Sequence, residues 1–365
     1  MYNVAIIGCG RISHKIAEGV AKNHDRMKLV ALCDPIEEKM FETEKTYNKK
    51  IENKLSLLKY KDYKEILDQN KIDIAIISTE SGYHEEIGLY FLENAVNLII
   101  EKPLAMSIEG AQKLVDTAKR NNLKLAASHQ NRFNYPIQLL KKAIKENKLG
   151  KIFNGMARIL WTRDDNYYLQ APWRGTWALD GGTLMNQCIH NIDLINWMMD
   201  DEIDTVYAQT SNYIRNIEAE DYGVILIRYK SGKIATIEGS AIVYPKNLEE
   251  TLTVTGEKGT VVIGGMAVNK INTWRVEGDN EQEYLSIDCG DPNSVYGYGH
   301  EALYKDFVDA LDENREPLVN GKAGLEAVKI ILAAYKSQKT GLPVKISEFN
   351  EFSTLDMEKK DVKYL

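Results

Sequence analysis

An asparagine and a histidine four residues apart form the pattern in this sequence best suited to proton transfer. Asn186 and His190 lie in a run with helical periodicity that begins after Gly181 and Gly182, so we expect their side chains to share one helix face. Histidine titrates near pH ~6.5 when unperturbed, which suits it to exchange a proton with a substrate. Asp193 follows three residues later and could orient the imidazole. The same pattern also fits a histidine that only packs on a buried helix.

Length and composition indicate a globular protein of two domains. The chain has 365 residues, more than one hydrophobic core usually serves, and 44% of its residues are hydrophobic. Its formal net charge is -7, which argues against a nucleic-acid-binding surface because such surfaces are basic. An acidic substrate remains compatible with this charge, since a local basic pocket can exist within an acidic protein.

Cysteine usage and hydropathy predict a cytoplasmic location. No Cys-x-x-Cys motif occurs, so we expect neither a disulfide framework nor a metal site from the four scattered cysteines, Cys9, Cys33, Cys188 and Cys289. The apolar start of the chain is too short for a signal peptide and lacks a basic beginning. No apolar run reaches the ~18 residues that a membrane span needs, so we expect no membrane segment.

The N-terminal region reads as a strand, a glycine turn and a helix. The apolar run 4–7 leads into Gly8-Cys9-Gly10, and apolar residues with helical spacing follow from Ile12. Gly8 permits a tight turn, Gly10 lets the backbone approach a pyrophosphate, and the helix N-terminus attracts that anion. Ser13 replaces the usual third glycine and is small enough to pack closely.

An acidic residue follows the second strand. Asp34 lies 24 residues beyond Gly10, near the ~20 expected for a carboxylate that binds ribose hydroxyls of a dinucleotide. No arginine follows it to accept a 2′-phosphate. We therefore predict that the cofactor is NAD rather than NADP, with Arg11 and Ile12 among its contacts.

Strands and helices alternate up to residue 128, which predicts an α/β domain with a doubly wound parallel sheet over residues 1–128. Ligands of such sheets bind beyond the carboxyl ends of the strands. Lys102 lies at one of these ends and could stabilise charge that develops on a substrate oxygen. A solvated surface lysine is the alternative, but Pro103 restricts Lys102 to extended geometry and argues against it. Other polar residues at the strand ends are Thr79, Glu101, Asn131 and Arg132.

Residues 129–365 read mostly as consecutive strands with short turns. This pattern predicts an α+β domain with a large, mostly antiparallel open sheet. One face of such a sheet needs cover, so we predict a homodimer or homotetramer formed through it. The expected strands lie at 151–161, 205–212, 223–229, 234–241, 250–255, 260–263, 271–276 and 284–288.

A loop rich in aromatic residues and arginine precedes the paired glycines. Trp173 and Arg174 belong to this segment, residues 167–177. Such a composition suits contact with a sugar or a nucleotide. A subunit contact is the alternative.

Together these motifs resemble the glucose–fructose oxidoreductase/inositol dehydrogenase (Gfo/Idh/MocA) family, over essentially the whole chain. The Gly8-x-Gly10 turn, Glu101-Lys102-Pro103, and the paired glycines with His190 and Asp193 carry this resemblance. Within the family, the second half looks similar to the UDP-N-acetylglucosaminuronate 3-dehydrogenases of bacterial surface-polysaccharide synthesis. The supporting stretches are 170–177, 180–193, 244–251, 256–268 and 296–301.

The resemblance implies a Rossmann domain followed by an α+β domain, and it implies roles for particular residues. Lys102 and His190 match the catalytic pair, and Glu101 matches a contact of the nicotinamide ribose. Asn186 stands where many members of the wider family carry Asp. An amide cannot act as a base, so Asn186 is expected to position groups in the catalytic set while His190 takes the proton. The UDP-sugar subgroup resembles this chain in having Asn there. Further cofactor contacts are expected at Thr79, Asn131, Trp173, Arg174 and Tyr298, and substrate contacts at Lys102, Arg132, Arg163, Asn186 and His190.

We therefore expect NAD-dependent oxidation of the C3 hydroxyl of a UDP-linked, N-acetylated hexose or hexuronic acid. Arg132 or Arg163 would meet either a C6 carboxylate or the phosphates. Three alternatives stay open: a dehydrogenase of a free sugar or inositol, an NAD-dependent glycosidase, and a non-catalytic NAD-sensing regulator. The intact Lys102 and His190 argue against the last of these.

Overall fold

A six-stranded parallel sheet with helices between its strands forms the N-terminal part of the chain. The structure is a computed structural model that describes residues 1–290 and 297–357. The strand order is β3-β2-β1-β4-β5-β6, as in the doubly wound sheet that the sequence predicts. Its elements are β1 (Tyr2–Ile7), α1 (Ser13–Lys22), β2 (Met27–Cys33), α2 (Glu37–Asn48), β3 (Leu58–Tyr60), α3 (Ile66–Gln69), β4 (Ile74–Ile77), α4 (His84–Glu93), β5 (Asn97–Ile100), α5 (Ile108–Arg120) and β6 (Leu125–Ala127).

Continuous apolar runs explain the buried strands of this sheet. All four residues of β4 are buried, as expected when helices cover both faces of a parallel sheet. Helix α2 has a weaker signal and the sequence patterns did not predict it. Only Met40, Thr43 and Tyr47 of its twelve residues are buried, so its apolar stripe is too sparse to recognise.

The C-terminal part contains an eight-stranded sheet of order β13-β12-β11-β7-β10-β9-β8-β14. Every neighbouring pair is antiparallel except β7 and β10, which run parallel, so the predicted mostly antiparallel sheet is confirmed. The elements are α6 (Tyr135–Lys145), β7 (Ile152–Leu160), α7 (Asp165–Leu169), α8 (Thr183–Asn186), α9 (Ile189–Met199), β8 (Ile203–Ser211), β9 (Tyr222–Tyr229), β10 (Ile234–Ser240), β11 (Glu249–Gly256), β12 (Gly259–Gly264), β13 (Lys270–Val276), α10 (Glu281–Leu285), α11 (Gly299–Asp312), α12 (Gly321–Thr340) and β14 (Val344–Lys345).

Glycines in the sheet let α8 and α9 approach it closely. A Cβ on Gly155 of β7 would lie 2.4 Å from Ile195 of α9, and one on Gly239 of β10 would lie 2.5 Å from Cys188 Sγ. A glycine within a strand marks such a close approach. These glycines therefore determine how closely α8 and α9, which carry Asn186 and His190, approach the sheet.

Two sequence predictions in this part are wrong. The run after the paired glycines is not one helix, because α8 ends at Asn186 and α9 begins at Ile189. The expected strand at 284–288 is not formed, because Tyr284 and Leu285 belong to helix α10 and residues 286–288 are not in a strand. The Asn280 side chain caps this helix by accepting a hydrogen bond from the Gln282 backbone N–H, and the Tyr284 ring stacks on Trp274 at 4.1 Å. Tyr296, in one of the stretches of family resemblance, lies outside the described residues.

The chain forms two compact units. The first unit comprises Met1–Ala105, Gly110–His129 and His300–Leu325. The second comprises Met106–Glu109, Gln130–Gly299 and the chain from Glu326 onward. No helix within residues 1–290 and 297–357 combines the length and apolarity needed to span a bilayer.

Candidate active site

The glycine turn of the first unit has the backbone geometry that the sequence predicts. Gly8 has a φ of +93°, and a Cβ there would lie 2.6 Å from the carbonyl carbon of Ser78. Both facts require glycine. Ser78 Oγ donates a hydrogen bond to Gly8 O at 2.7 Å, which ties the turn to the end of β4. A Cβ on Gly10 would meet nothing within 4 Å, so the backbone there faces open space.

The beginning of α1 is suited to bind an anion. Its N-cap residue, Ile12, supplies no side-chain hydrogen bond, and the first turn contains no acidic residue. The N–H groups of a helix start that lacks a side-chain cap are available to a phosphate. Ser13, in the place of the third glycine, donates from Oγ to Gly10 O at 2.7 Å and contacts Thr43 Oγ1 at 2.8 Å. Arg11 is exposed beside this turn.

Asp34 links the glycine turn to the end of β2. Its two carboxylate oxygens accept hydrogen bonds from Cys9 N at 2.8 Å and Ile36 N at 2.9 Å. A carboxylate oxygen has more than one lone pair, so ribose hydroxyls can still bind here. The open backbone at Gly10, the uncapped helix start and this carboxylate fit an adenine dinucleotide.

Glu101, Lys102 and Thr79 follow the strands β5 and β4 of the same unit. Glu101 is buried, and burial raises its pKa to about 7. Its Oε1 lies 3.8 Å from Nε2 of His300, whose pKa burial lowers to about 4. Lys102 and Thr79 are partly exposed, and the Lys102–Pro103 peptide bond is cis. These side chains thus lie at the carboxyl edge of the sheet, where ligands of such folds bind.

In the second unit, a hydrogen-bonded chain holds Asn186 in one orientation. The Asn186 amide donates to Asp180 Oδ1 and accepts from Gln187 Nε2 at 3.2 Å. The other oxygen of Asp180 accepts from Gly175 N at 2.7 Å. This network joins the segment 167–177 to α8. It supports a positioning role for Asn186, and no sequence pattern indicates the part played by Gln187.

A buried carboxyl group supports the paired glycines. Glu220 Oε1 accepts hydrogen bonds from Leu184 N at 2.8 Å and from Tyr335 Oη at 3.0 Å. The Tyr335 hydroxyl in turn accepts from Gly182 N at 3.3 Å. Burial raises the pKa of Glu220 to about 8. Sequence patterns do not reveal this group, because an acidic residue before a strand carries no signal that it is buried.

The His190 side chain, on the first turn of α9, is partly exposed. Asp193, three residues further along α9, forms a bidentate pair with Arg132, at 2.7 Å to Nε and 2.6 Å to Nη2. Arg132 also lies over the ring of Trp197, with its guanidinium carbon 4.9 Å from the ring centre. Both members of this ion pair are nearly fully buried, and each oxygen of Asp193 accepts one hydrogen bond from Arg132.

Two arginines share one aromatic ring in the second unit. The guanidinium carbons of Arg163 and Arg174 lie 5.2 and 4.2 Å from the centre of the Tyr167 ring. Arg163 donates to Gln187 Oε1 at 3.1 Å, so this pair is connected to the network around Asn186. Among the described residues, neither arginine has a carboxylate within ion-pair distance. Their charges are therefore available to an anion.

The remaining expected contacts lie in the second unit. Trp173 is partly exposed, with its ring centre 4.9 Å from the Arg174 guanidinium carbon. Asn131 is buried, and its Oδ1 accepts no hydrogen bond from the described part of the chain. Tyr298 is 56% exposed, which places its side chain on the surface of this structure.

Family models and known proteins match nearly the whole chain. Residues 2–129 match the oxidoreductase family's NAD-binding Rossmann fold, and residues 141–346 match its C-terminal alpha/beta domain. The crystal structure of the WlbA dehydrogenase from Bordetella pertussis, in complex with NADH and UDP-GlcNAcA, is 31% identical with a TM-score of 0.82, and the match covers 94% of this chain and 98% of that one.

Inositol dehydrogenases are similar over the same span. The myo-inositol 2-dehydrogenase of Thermotoga maritima is 25% identical, covering 94% of this chain and 98% of its own length. The scyllo-inositol 2-dehydrogenase (NAD(+)) of Bacillus subtilis is 22% identical, covering 94% and 95%. The glycine turn and Asp34 agree with the family's NAD-binding fold. The chain therefore belongs to the Gfo/Idh/MocA oxidoreductase family, and it is an NAD-dependent dehydrogenase of sugar or polyol hydroxyl groups.

Proposed function

We propose that the chain oxidises the C3 hydroxyl of a UDP-linked, N-acetylated hexose or hexuronic acid, in bacterial surface-polysaccharide synthesis. The observation that carries this proposal is Arg163, whose guanidinium lies over the Tyr167 ring and has no described carboxylate within ion-pair distance. A planar guanidinium binds phosphate or carboxylate through paired hydrogen bonds. A UDP-sugar supplies such anions, whereas a free sugar does not. The similarity to a dehydrogenase crystallised with UDP-GlcNAcA supports the same substrate class.

The proposed chemistry needs a base and a group that stabilises an alkoxide. His190, partly exposed, takes the proton of the C3 hydroxyl, a role worth about 10²–10⁴ in rate. Lys102 donates to the same oxygen and stabilises its developing charge. Asn186, fixed by Asp180 and Gln187, orients the substrate as an amide and does not exchange a proton. NAD, when bound, accepts the hydrogen of C3 as hydride.

The cofactor and substrate contacts follow from this assignment. The proposal places the pyrophosphate at Gly10, Arg11 and Ile12, the adenosine ribose at Asp34, and the nicotinamide ribose at Glu101. It adds Thr79, Asn131, Trp173, Arg174 and Tyr298 to the cofactor contacts. Arg163 is the proposed anchor for the substrate's anionic groups. Arg132 is a weaker candidate for this role, because its charge is already paired with Asp193.

Oxidation of a free sugar or inositol is the second candidate function. The similarity to the myo-inositol and scyllo-inositol dehydrogenases favours it. The two candidates differ in the need for an anionic group on the substrate. The test incubates the chain with NAD and, separately, UDP-GlcNAcA, UDP-GlcNAc, N-acetylglucosamine and myo-inositol, and follows loss of two hydrogens by mass spectrometry. Oxidation confined to the UDP-sugars is expected. Preferential oxidation of myo-inositol would instead establish the second candidate.

We also propose that the eight-stranded sheet forms the contact of a homodimer or homotetramer. Three neighbouring strands expose Met156, Leu226 and Ile234, each more than 40% accessible, on the side away from α8 and α9. An exposed apolar surface of this kind marks an interaction site. Sedimentation of wild type and Leu226→Glu tests the proposal, since the added charge should shift the assembly to a smaller species. An unchanged sedimentation coefficient would exclude this face as the contact.

A further inference from the structure

His84 is a buried histidine that contacts the ends of two neighbouring strands in the first unit. It begins α4 and is 1% exposed. Its Nδ1 lies 2.7 Å from the carbonyl oxygen of Pro103, directly after Lys102, and its Nε2 lies 3.2 Å from the carbonyl oxygen of Thr79. Thr79 and Lys102 are both expected to work at the carboxyl edge of this sheet. One ring therefore joins the two turns that carry them.

The two carbonyl groups compete for a single proton. A neutral imidazole has one N–H donor, and a carbonyl oxygen only accepts. Burial lowers the pKa of His84 to about 4, although the hydrogen bonds to Pro103 and Thr79 oppose this effect, and the nearby charge of Lys102 lowers it further. The ring is therefore neutral near pH ~7. The shorter contact favours the tautomer in which Nδ1–H donates to Pro103 and Nε2 faces the Thr79 oxygen.

We propose that His84 is a positioning residue for Lys102, which it acts on by holding the Pro103 carbonyl through Nδ1–H. This inference rests on the proposed role of Lys102. The hydrogen bond fixes the Pro103–Leu104 peptide unit, one residue beyond Lys102, and so limits the direction in which the Lys102 side chain leaves the strand. Positional errors of about 1 Å at a reacting group cost about 10² in rate, so a buried bond at this place has a kinetic consequence.

Matched variants separate this role from simple packing. In His84→Asn the amide nitrogen falls near the position of Nδ1, whereas in His84→Gln it falls near that of Nε2. Asparagine leaves the larger cavity, so packing alone predicts that His84→Gln retains more activity. Positioning through Nδ1 predicts the reverse order. We expect His84→Ala to lose about 10² in kcat, His84→Gln to resemble it, and His84→Asn to recover most of the turnover.

A double-mutant cycle identifies the residue through which His84 acts. Turnover is measured with NAD and UDP-GlcNAcA, or with myo-inositol if the wild-type chain does not oxidise the UDP-sugar. His84→Ala is combined with Lys102→Ala, and the NAD dissociation constant and unfolding free energy are measured for every variant. If His84 acts through Lys102, its kcat cost disappears in the Lys102→Ala background, since coupled residues are non-additive. Full additivity would overturn the His84 proposal, and an active Lys102→Ala enzyme would overturn the proposed mechanism itself.

The tautomer of His84 supplies a readout that does not depend on activity. Nitrogen-15 NMR of histidine-labelled protein resolves the ring nitrogens, and the spectrum of His84→Asn assigns the His84 signals among the 6 histidines. We expect a neutral ring with hydrogen on Nδ1 at pH ~7. A neutral ring with hydrogen on Nε2 would show that His84 holds the Thr79 carbonyl instead, and would overturn the proposal.

Discussion

The carboxyl group of Glu220 occupies the space into which any side chain at position 182 would project. A Cβ on Gly182 would lie 1.8 Å from Glu220 Oε2. The φ of Gly182 is −96°, which other residues adopt readily, so glycine is needed here for space and not for its conformational freedom. The same carboxyl accepts a hydrogen bond from Leu184 N at 2.8 Å and replaces the missing N-cap side chain of α8.

Gly182→Ala should therefore destabilise the protein. Overpacking of a buried site typically costs about 1–3 kcal/mol, and chemical denaturation measures the loss. The control is the same change in a Glu220→Ala background, where the obstructing carboxyl is absent. There the added methyl should cost much less, because the two changes share one contact. Equal costs in both backgrounds would mean that Glu220 is not what excludes a side chain at position 182.

The buried Glu220 also predicts a pH dependence of stability. Burial raises its pKa in the folded state from 4.5 to about 8. The folded protein then holds a proton that the unfolded chain releases, so this group's stabilising contribution is complete below pH ~4.5 and is lost as pH rises towards ~8. Between these values the unfolding free energy of wild type should fall more steeply than that of Glu220→Gln, by up to about 1.4 kcal/mol per pH unit. Glu101 and Glu250 also have raised pKa values, and they contribute the same pH dependence of stability to wild type and to Glu220→Gln. If the unfolding free energies of wild type and Glu220→Gln changed in parallel with pH, the raised pKa of Glu220 would be contradicted.

Arg163→Gln should weaken substrate binding more than cofactor binding. The substitution removes a charge that the structure leaves available beside Tyr167, so KM for UDP-GlcNAcA should rise about 10-fold or more, as for a lost charged hydrogen bond. KM for NAD should change little. Arg275→Gln is the matched control, because Arg275 is 76% exposed on β13 and is remote from this network. A proportionate rise in both KM values would remove Arg163 from the substrate site.

His190→Ala should abolish turnover and leave NAD binding intact. Loss of a general base costs about 10²–10⁴ in kcat, which steady-state NADH absorbance measures. Titration of protein fluorescence with NAD should give a dissociation constant close to that of wild type. His24→Ala, at an exposed histidine in the first unit, is the control and should retain full turnover. Full activity of His190→Ala would assign the proton to another group.

Features carried by a short stretch of sequence were predictable. The turn at Gly8, the start of α1 and the acidic residue after β2 follow local rules, and the structure reproduces each of them. The alternation of strands and helices likewise predicted the parallel sheet, since its period is visible within each segment.

Features that depend on distant residues were not predictable. Asp193 pairs with Arg132, which lies 61 residues away in the sequence, and no spacing rule indicates which charged residue a buried carboxylate will pair with. Glu220 supports Leu184 from 36 positions away, so its burial depends on the packing of the whole second unit. The break between α8 and α9 was missed because its residues, Gln187 and Cys188, include neither glycine nor proline.

Transfer of the C3 hydrogen of a UDP-sugar to the cofactor tests the proposed function most directly. The wild-type chain is incubated with NAD and UDP-GlcNAcA that carries deuterium at C3 of the sugar, and the masses of both products are measured by mass spectrometry. We expect NADH that contains the deuterium and a ketosugar that has lost it. Unlabelled NADH with deuterium retained in the sugar, or oxidation of myo-inositol without any of the UDP-sugar, would contradict the proposed function.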